Sequence, residues 1–333
     1  MKSNQKHISV ISLGRSEVSK TFTKKVFDDE NFRLFFLKSK SFKLSEYIRI
    51  SIKLIRSNSN YYIFSFFSPK DLPILIISRI LGKRCIVCFH DFKIHLGEEN
   101  IVIQNLLYLN YFLASEIVVF NENVKTDILK SRISKLNEKP ITQLFFPIDN
   151  SVEYKAIKSY NKDRPLKIFT FGRIFRYKGI EELVRAVSQF DQTQISLKIF
   201  GSGSIDANTS AIIEATSFIS INNSWVSNEG IIKEIIDADI IALTYLESTQ
   251  SGVMSESFTF NTPCLITPTE GLINQGAFGS VISKSFEPLD INKAIKLILK
   301  SPGIIEELSK NIIRIKEVRS YQNLKDEFLK ICN

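Results

Sequence analysis

Two short stretches of the chain combine residue types that could bind an anion. In the first, Gly172 ends an apolar run, Arg173 and Lys178 follow it, and a helical pattern begins near Gly179. The N–H groups at the start of a helix favour an anion. A guanidinium group offers phosphate two parallel donors, and an ammonium group adds a compact charge. This stretch predicts a phosphate site; the alternative is a basic loop without a ligand.

The second stretch also follows an apolar run and enters a helix through a glycine. Gln250 and Ser251 lead into Gly252 and Val253, whose N–H groups could hold another side of a phosphate. Glu256 lies one turn into this helix and could accept hydrogen bonds from two vicinal hydroxyls, as acids do for nucleotide ribose. A lone acid near a helix start can also serve only as a partner of the helix dipole.

Other residues of the sequence are weak candidates for a metal site. Asp237 and Asp239 have the spacing of a metal-binding pair, but two carboxylates alone make a poor closed site. Cys85, Cys88, His90 and His95 could suggest zinc, but the two cysteines lie on a predicted strand, where positions three apart face opposite sides. A redox pair of these cysteines is disfavoured because no helix N-terminus is predicted beneath them. We therefore expect no metal and no cofactor. The adjacent His90 stands at the end of that strand, where it either reaches a ligand or caps a loop.

The elements that must position these residues alternate along the chain. Strands are predicted at 7–13, 32–37, 61–67, 84–89, 116–120, 141–146, 166–171, 195–200, 218–221, 239–244 and 264–267. Helices are predicted at 41–57, 70–81, 98–114, 122–137, from about 179, from about 252, at 288–300 and at 303–330. This alternation is typical of α/β proteins with parallel sheets, which bind ligands at the carboxyl ends of their strands.

The length of 333 residues indicates two domains. We expect an N-terminal Rossmann-like domain at 1–150 and a C-terminal one at 165–318, joined by a polar linker at 147–165. A C-terminal helix at 319–333 could pack back on the first domain.

The net charge of +9 is concentrated in the first part of the chain. Residues 1–150 hold 23 basic and 14 acidic residues, whereas residues 151–333 hold 21 of each. Within the first part, residues 1–56 hold 13 basic and 5 acidic residues. A local field of this sign indicates an anionic partner, such as a membrane, a nucleic acid or an acidic substrate. The alternative is a lysine-rich surface that serves only solubility.

The segment 42–57 has the spacing of an amphipathic helix. Its apolar residues fall on one face and its basic residues on another: Leu44, Tyr47, Ile48, Ile52 and Ile55, against Arg49, Lys53 and Arg56. The more frequent arrangement is a helix whose apolar face contacts the core and whose basic face is solvated. The alternative is a surface that meets anionic lipid head groups.

Cysteine usage and the lack of a leader indicate a cytoplasmic protein. Three of the four cysteines lie in or beside apolar stretches, where free cysteine acts as a small hydrophobe. The N-terminus shows no signal peptide. The longest apolar region, 101–120, contains polar interruptions and predicts a buried helix followed by a strand rather than a membrane span.

Several motifs resemble those of GT-B-fold glycosyltransferases, particularly the retaining glycosyltransferase family 4. The matching segments are FGRIFRYKGIEELV, LKIFGSGS, DADIIALTY, QSGVMSESFTFNTPCLIT and, more weakly, CIVCFHD followed by ASEIVVFNENVKTDIL. They occur in the family's order over most of residues 84–270. The resemblance implies two Rossmann-like domains that face each other across a cleft, and a metal-independent transfer of sugar from a nucleotide sugar.

The resemblance also implies roles for the candidate residues. The donor diphosphate would be bound by the side chains of Arg173 and Lys178 and by the backbone amides of Gly252 and Val253. Gly172 would also belong to this donor-binding site. Glu256 would hold the ribose, and the stretch 224–227 around Val226 would lie near the nucleobase. On the other side of the cleft, His90 would approach the donor sugar, and Gly14 and Asp91 would lie on the acceptor side.

One position departs from the family pattern. Many members carry an additional glutamate eight positions before Glu256, where this chain has Ser248; Glu247 is one position away. Gln250 and Ser251 could replace that acid. The resulting hypothesis is a transferase that acts on a glycan or lipid-linked acceptor in bacterial surface polysaccharide synthesis, at the inner face of the membrane.

Three alternatives to this hypothesis remain open. A nucleotide-sugar 2-epimerase shares the fold, and an acceptor-free assay would identify it. A catalytically silent binding subunit of a polysaccharide assembly complex would bind nucleotide without transfer. Nucleic-acid binding is disfavoured, because the phosphate-type site lies in the half whose charges cancel.

Overall fold

The computed structural model describes residues 8–13, 17–36, 44–57, 59–65, 71–93 and 101–333. These residues form two compact units. The first contains the described residues up to 93 together with 101–145 and 321–333, and the second contains 146–320. The chain therefore passes from the first unit to the second and then returns to the first.

In the described part of the first unit, six strands form a parallel sheet in the order β2-β1-β3-β4-β5-β6. The strands are β1 (Ile8–Ser12), β2 (Phe32–Phe36), β3 (Tyr61–Phe64), β4 (Arg84–Phe89), β5 (Glu116–Val119) and β6 (Ile141–Gln143). The helices are α1 (Glu17–Phe27), α2 (Leu44–Arg56), α3 (Leu72–Ile80), α4 (Ile101–Leu113), α5 (Glu122–Lys130), α6 (Arg132–Leu136) and α14 (Tyr321–Cys332).

The second unit also contains a six-stranded parallel sheet, in the order β12-β11-β10-β7-β8-β9. Its strands are β7 (Leu166–Phe171), β8 (Ile195–Phe200), β9 (Ile219–Asn222), β10 (Ile240–Leu243), β11 (Cys264–Ile266) and β12 (Ser280–Ile282). Its helices are α7 (Ile180–Val187), α8 (Ala207–Ala215), α9 (Asn228–Asp237), α10 (Gly252–Thr259), α11 (Glu270–Gly276), α12 (Pro288–Lys300) and α13 (Gly303–Val318). The predicted α/β class with two doubly wound sheets is confirmed.

The last helix, α14, packs on α1 in the first unit. The rings of Phe27 and Phe328 lie 4.9 Å apart edge to face, and Lys325 forms an ion pair of 2.7 Å with Asp29. Leu324 and Phe328 are fully buried. The segment that follows α13 thus completes the hydrophobic packing of the first unit.

The segment 147–165, predicted as a linker, lies in the second unit and is held there by Lys158. Its buried ammonium group donates hydrogen bonds to the carbonyls of Ile235, Ile236 and Ala238. These carbonyls lie at the end of α9, where a cation satisfies orphan acceptors and the helix dipole. Burial lowers the pKa of Lys158 to about 8.

The orientation of α2 differs from the more frequent arrangement considered above. The side that contacts the core carries Tyr47, Ile50 and Leu54, with Glu46 also buried. By contrast, four of the predicted core-facing residues are exposed: Leu44, Ile48, Ile52 and Ile55. The prediction that they face the core is wrong, because this helix has two apolar sides and the sheet covers only one.

None of the helices in the described residues is both long and apolar enough to cross a lipid bilayer.

Candidate active site

The candidate donor-binding residues of the second unit follow two neighbouring strands at its topological switch point. In the sheet order, β7 and β10 are adjacent and their connections leave in opposite directions, which is where open α/β sheets bind ligands. Gly172 follows β7 with φ of 110°, and a side chain there would lie 3.7 Å from Val253 of α10. Both predicted stretches therefore meet at the carboxyl ends of these strands.

The loop that carries Arg173 and Lys178 is fixed to the end of β10. The hydroxyl of Thr244 donates to the carbonyl of Gly179 over 2.9 Å, and the Leu246 N–H donates to the carbonyl of Tyr177 over 2.7 Å. Gly179 has φ of 63°, and a Cβ atom there would lie 1.8 Å from the Thr244 carbonyl oxygen. Only glycine can lie this close to the Thr244 carbonyl, so Gly179 fixes the position of the loop backbone beside β10.

Lys178 points its ammonium group at Tyr245, the second residue after β10. Its Nζ lies 2.5 Å from the Tyr245 hydroxyl and 3.8 Å from the centre of that ring. The Tyr177 ring lies 5.3 Å away on another side. Burial lowers the pKa of Lys178 to about 8, and the nearby Arg173 also lowers it. Because burial disfavours the charged form of this ammonium group, an anionic ligand beside it would stabilise the cation.

The two basic side chains near Lys178 differ in their contacts. Arg176 is bound through both terminal nitrogens to Glu182, at 2.6 and 2.9 Å, so its charge is already neutralised. Arg173 is exposed, and its guanidinium group lies 4.9 Å from the centre of the Phe175 ring. Arg176 is thus held on α7 by Glu182, and the role of Arg173 as a phosphate ligand stays a prediction.

Ser251 caps the helix that carries Gly252 and Val253. Its Oγ accepts a hydrogen bond of 3.2 Å from the Met254 N–H and lies 3.2 Å from the Tyr245 hydroxyl. Within the described residues, no acceptor contacts the N–H groups of Gly252 and Val253. These two amides are therefore available to an anion at the start of α10.

Gln275 of α11 fixes Ser251 from both sides. Its Oε1 accepts from the Ser251 N–H over 2.7 Å, and its Nε2 donates to the Ser251 carbonyl over 2.8 Å. Arg319 in turn donates to the Gln275 carbonyl over 2.5 Å. A chain of contacts thus runs from Gln275 through Ser251 and Tyr245 to Lys178. Tyr245 lies in a stretch that the sequence marks, but nothing in the sequence indicates Gln275, which is 24 positions from its partner.

The remaining donor-side predictions lie on the same carboxyl edge of the sheet. Glu256 is half-buried in the second turn of α10, and Gln250 is half-buried just before it. Ser248, at the position of the absent acid, is buried. Val226 lies between β9 and α9, next to Trp225, which is 83% exposed. The roles of these residues in ligand binding stay predictions.

In the first unit, His90 follows β4 and is buried among aromatic rings. Its Nε2 lies 3.2 Å from the Ser65 carbonyl oxygen, and the rings of Phe120 and Phe22 are 4.7 and 5.5 Å away. Asp91, the next residue, is half-buried. Gly14 falls outside the described residues. The acceptor-side roles of these three residues stay predictions.

The carboxylates and thiols considered for metals have structural contacts. Asp239 accepts two hydrogen bonds of 2.6 Å from Arg164, and Asp237 forms an ion pair of 2.6 Å with Lys167. Cys85 and Cys88 are both buried, and burial raises the pKa of each thiol. Across the described part of the chain, no group of three or more potential metal ligands is present.

Comparisons with known proteins agree with this geometry. The family model "Glycosyl transferases group 1" matches residues 153–317, and the chain thus carries a glycosyltransferase group 1 domain over the second unit. No curated protein matches the chain.

Among solved structures, sucrose-phosphate synthase of Thermosynechococcus elongatus is similar with a TM-score of 0.72, at 12% identity and 98% coverage of both chains. A glycosyltransferase of Rickettsia africae has a TM-score of 0.70, at 12% identity and 98% coverage of both. HepE of Anabaena, solved with UDP, also has a TM-score of 0.70, at 12% identity, and the match covers 98% of this chain and 99% of HepE. The fold is therefore that of GT-B glycosyltransferases.

Proposed function

We propose that this chain, which carries a glycosyltransferase group 1 domain, is a retaining, metal-independent glycosyltransferase of family 4 that takes its sugar from a nucleotide sugar. The observation that carries the proposal is the arrangement of Lys178 beside the capped start of α10, where Gly252 and Val253 offer free amides. HepE, which has a similar structure, was solved with UDP and with UDP-glucose. A diphosphate matches this set of donors in charge and in number.

The proposed mechanism follows from where charge develops. When the bond between the sugar carbon and the phosphate oxygen breaks, negative charge grows on the leaving diphosphate. Lys178, Arg173 and the amides of Gly252 and Val253 would stabilise that charge, and removing one such donor typically costs about 3–4 kcal/mol in the barrier. The acceptor hydroxyl oxygen forms the new bond on the same face, and its proton passes to the leaving phosphate. Fixed cations here take the place of a metal ion.

The other candidate residues complete the proposed donor site. Glu256 would accept hydrogen bonds from the ribose hydroxyls, and the stretch around Val226 would contact the nucleobase. Gln250 and Ser251 would contact the sugar in place of the acid that Ser248 replaces. His90 would approach the sugar from the first unit, with Gly14 and Asp91 toward the acceptor.

The acceptor that we propose is a glycan or a lipid-linked oligosaccharide of bacterial surface polysaccharide synthesis, such as O-antigen, capsule or exopolysaccharide. The excess of positive charge before residue 57 supports a site that works at the anionic inner face of the cell membrane. The protein would then be cytoplasmic and peripherally bound to that membrane, with no nucleic acid as partner.

Ser248 favours one second candidate, a silent binding subunit of a polysaccharide assembly complex. A buried serine at this position removes a carboxylate that could contact the donor sugar. Such a subunit would bind nucleotide sugars without consuming them.

The test combines a binding panel with a turnover assay. Thermal shifts with nucleotide sugars, UDP-glucose among them, would identify the donor, since a ligand at 100 times its Kd adds about 2.7 kcal/mol of stability. Turnover of that donor is then compared between the natural protein and Lys178→Ala, with Lys198→Ala, a half-buried lysine paired to Glu234, as the control. We expect a loss of about 100- to 1,000-fold for Lys178→Ala alone. Equal turnover in both variants would refute the proposal, and binding without turnover would favour the silent subunit.

A further inference from the structure

The outer side of α2 carries an apolar stripe that no described residue covers. Leu44, Ile48, Ile52 and Ile55 recur every three or four positions and are 66, 53, 43 and 53% exposed. This spacing places them along one line of the helix. Exposed apolar residues are ordinary when scattered, but a continuous row of branched side chains marks a surface that meets an apolar partner.

Exposed apolar residues also lie on the next two helices, α3 and α4. Right-handed crossovers place α2, α3 and α4 on the same face of the sheet, and α3 contacts both other helices. On α3, Ile80 is 79% exposed, and on α4, Ile101 and Phe112 are 78 and 56% exposed. The helix α4 contains no charged residue at all. We call the outer side of α2, α3 and α4 the apolar face.

Cations border the apolar face along α2. Arg49, Lys53 and Arg56 are exposed next to the stripe, and none forms an ion pair with a described residue. The one acidic residue of α2, Glu46, is buried on the opposite side. An apolar strip with a basic strip beside it is the pattern of helices that lie in the interface of an anionic membrane.

We propose that the apolar face docks on an anionic lipid bilayer, with the stripe of α2 inserted among the acyl chains and the three cations on the head groups. The charge supports lipid over a second copy of the chain, because two apolar faces in contact would bring the cations of both copies together. The helix α4 has no charged side chains that could pair with those of an acidic protein, which disfavours such a partner. Docking would hold the enzyme near a lipid-linked acceptor, and only this purpose rests on the proposed function.

The test measures co-sedimentation of the full chain with vesicles of phosphatidylcholine, with and without 30% phosphatidylglycerol. Each of the three cations should contribute about fivefold to partitioning, which is about 1 kcal/mol. Replacing all three (Arg49→Gln, Lys53→Gln and Arg56→Gln) should thus weaken binding on the order of 100-fold on anionic vesicles and little on neutral ones. Ile48→Ser with Ile52→Ser should weaken binding at least tenfold on both.

A matched control and a reporter make the result specific. Leu289→Ser with Leu297→Ser removes two exposed leucines from α12 of the second unit and should leave vesicle binding unchanged. Trp225 is the single tryptophan of the chain. In a Trp225→Phe background, Ile48→Trp should therefore show a blue shift with vesicles, and brominated lipids should quench its emission.

Three outcomes would overturn the proposal. They are absence of vesicle binding by the natural protein, equal losses in the α2 and α12 variants, and a concentration-dependent dimer that the α2 variants abolish. The thermal shift with UDP is recorded for the natural protein and for the α2 and α12 variants that retain Trp225. If that shift persists while vesicle binding fails, docking is wrong and the donor site stands; if vesicle binding persists without any nucleotide shift, the proposed function fails instead.

Discussion

Raising the pH from 7 to 9 should weaken the binding of UDP, because Lys178 loses its proton near pH 8. Burial lowers the pKa of this lysine to about 8 from its usual 10.5. A bound diphosphate favours the cation and brings the pKa back toward the usual value. Only protein with a protonated Lys178 then binds UDP tightly, so the Kd for UDP rises about tenfold per pH unit above 8. Between pH 7 and 9 the expected change is about tenfold, or about 1.4 kcal/mol.

Isothermal titration of UDP at pH 7, 8 and 9, at constant ionic strength, would measure this change. Lys178→Arg retains its charge over the whole range, so its Kd should stay level even if it is higher. Lys158 also has a pKa of about 8, but it is present in both proteins, and the difference between them isolates Lys178. A Kd that is level in the natural protein, or that rises equally in Lys178→Arg, would refute the reasoning.

Three further substitutions test the supports of the site. Gln275→Ala leaves the Ser251 N–H without its acceptor and removes one of the two donors to the Ser251 carbonyl, which keeps the Ser255 N–H; it should lower the free energy of unfolding by about 1–3 kcal/mol, measured with urea, and weaken UDP binding. Lys158→Met removes the ammonium donor from the carbonyls of Ile236 and Ala238 at the end of α9 and should destabilise by a similar amount while UDP binding at pH 7 is retained. Gly179→Ala would place a Cβ atom 1.8 Å from the Thr244 carbonyl, so the loop must move and the Kd for UDP should rise at least tenfold.

Specific results would contradict these expectations. Unchanged UDP binding in Gln275→Ala would show that the cap of α10 does not depend on α11. A loss of UDP binding in Lys158→Met equal to that in Gly179→Ala would show that general unfolding, and not the loop, explains both. Circular dichroism of every variant separates these cases.

Eleven of the twelve strands in the described residues were predicted, because they are short apolar runs bounded by polar turns, whereas the three-residue edge strand β12 was not. Predicted strands at 84–89, 166–171 and 195–200 coincide with β4, β7 and β8. The helix α1 was not predicted: its sequence EVSKTFTKKVF is rich in threonine, valine and phenylalanine, which have weak helix propensity. It is stabilised by packing on α14, and that contact lies almost 300 residues away in sequence.

The orientation of α2 and the contacts of Gln275 show what local pattern cannot decide. Periodicity identifies a helix, but it does not tell which of two apolar sides the sheet covers, and the structure buries Tyr47 and Leu54 instead of Ile48. Likewise, the sequence places Ser251 before a helix but contains no signal for the glutamine that fixes it. Both facts depend on tertiary packing.

The position of α14 also constrains the order in which the chain acquires its structure during synthesis. Residues 146–320 are contiguous and contain their whole sheet, so the second unit has all its parts before α14 is made. Until then, Phe27 lacks its contact with Phe328, and the side of α1 that α14 covers is open to water. Although domains usually fold from the N-terminus during translation, the first unit of this protein must wait for the second. For that interval, we expect its exposed aromatic surface to be accessible to chaperones.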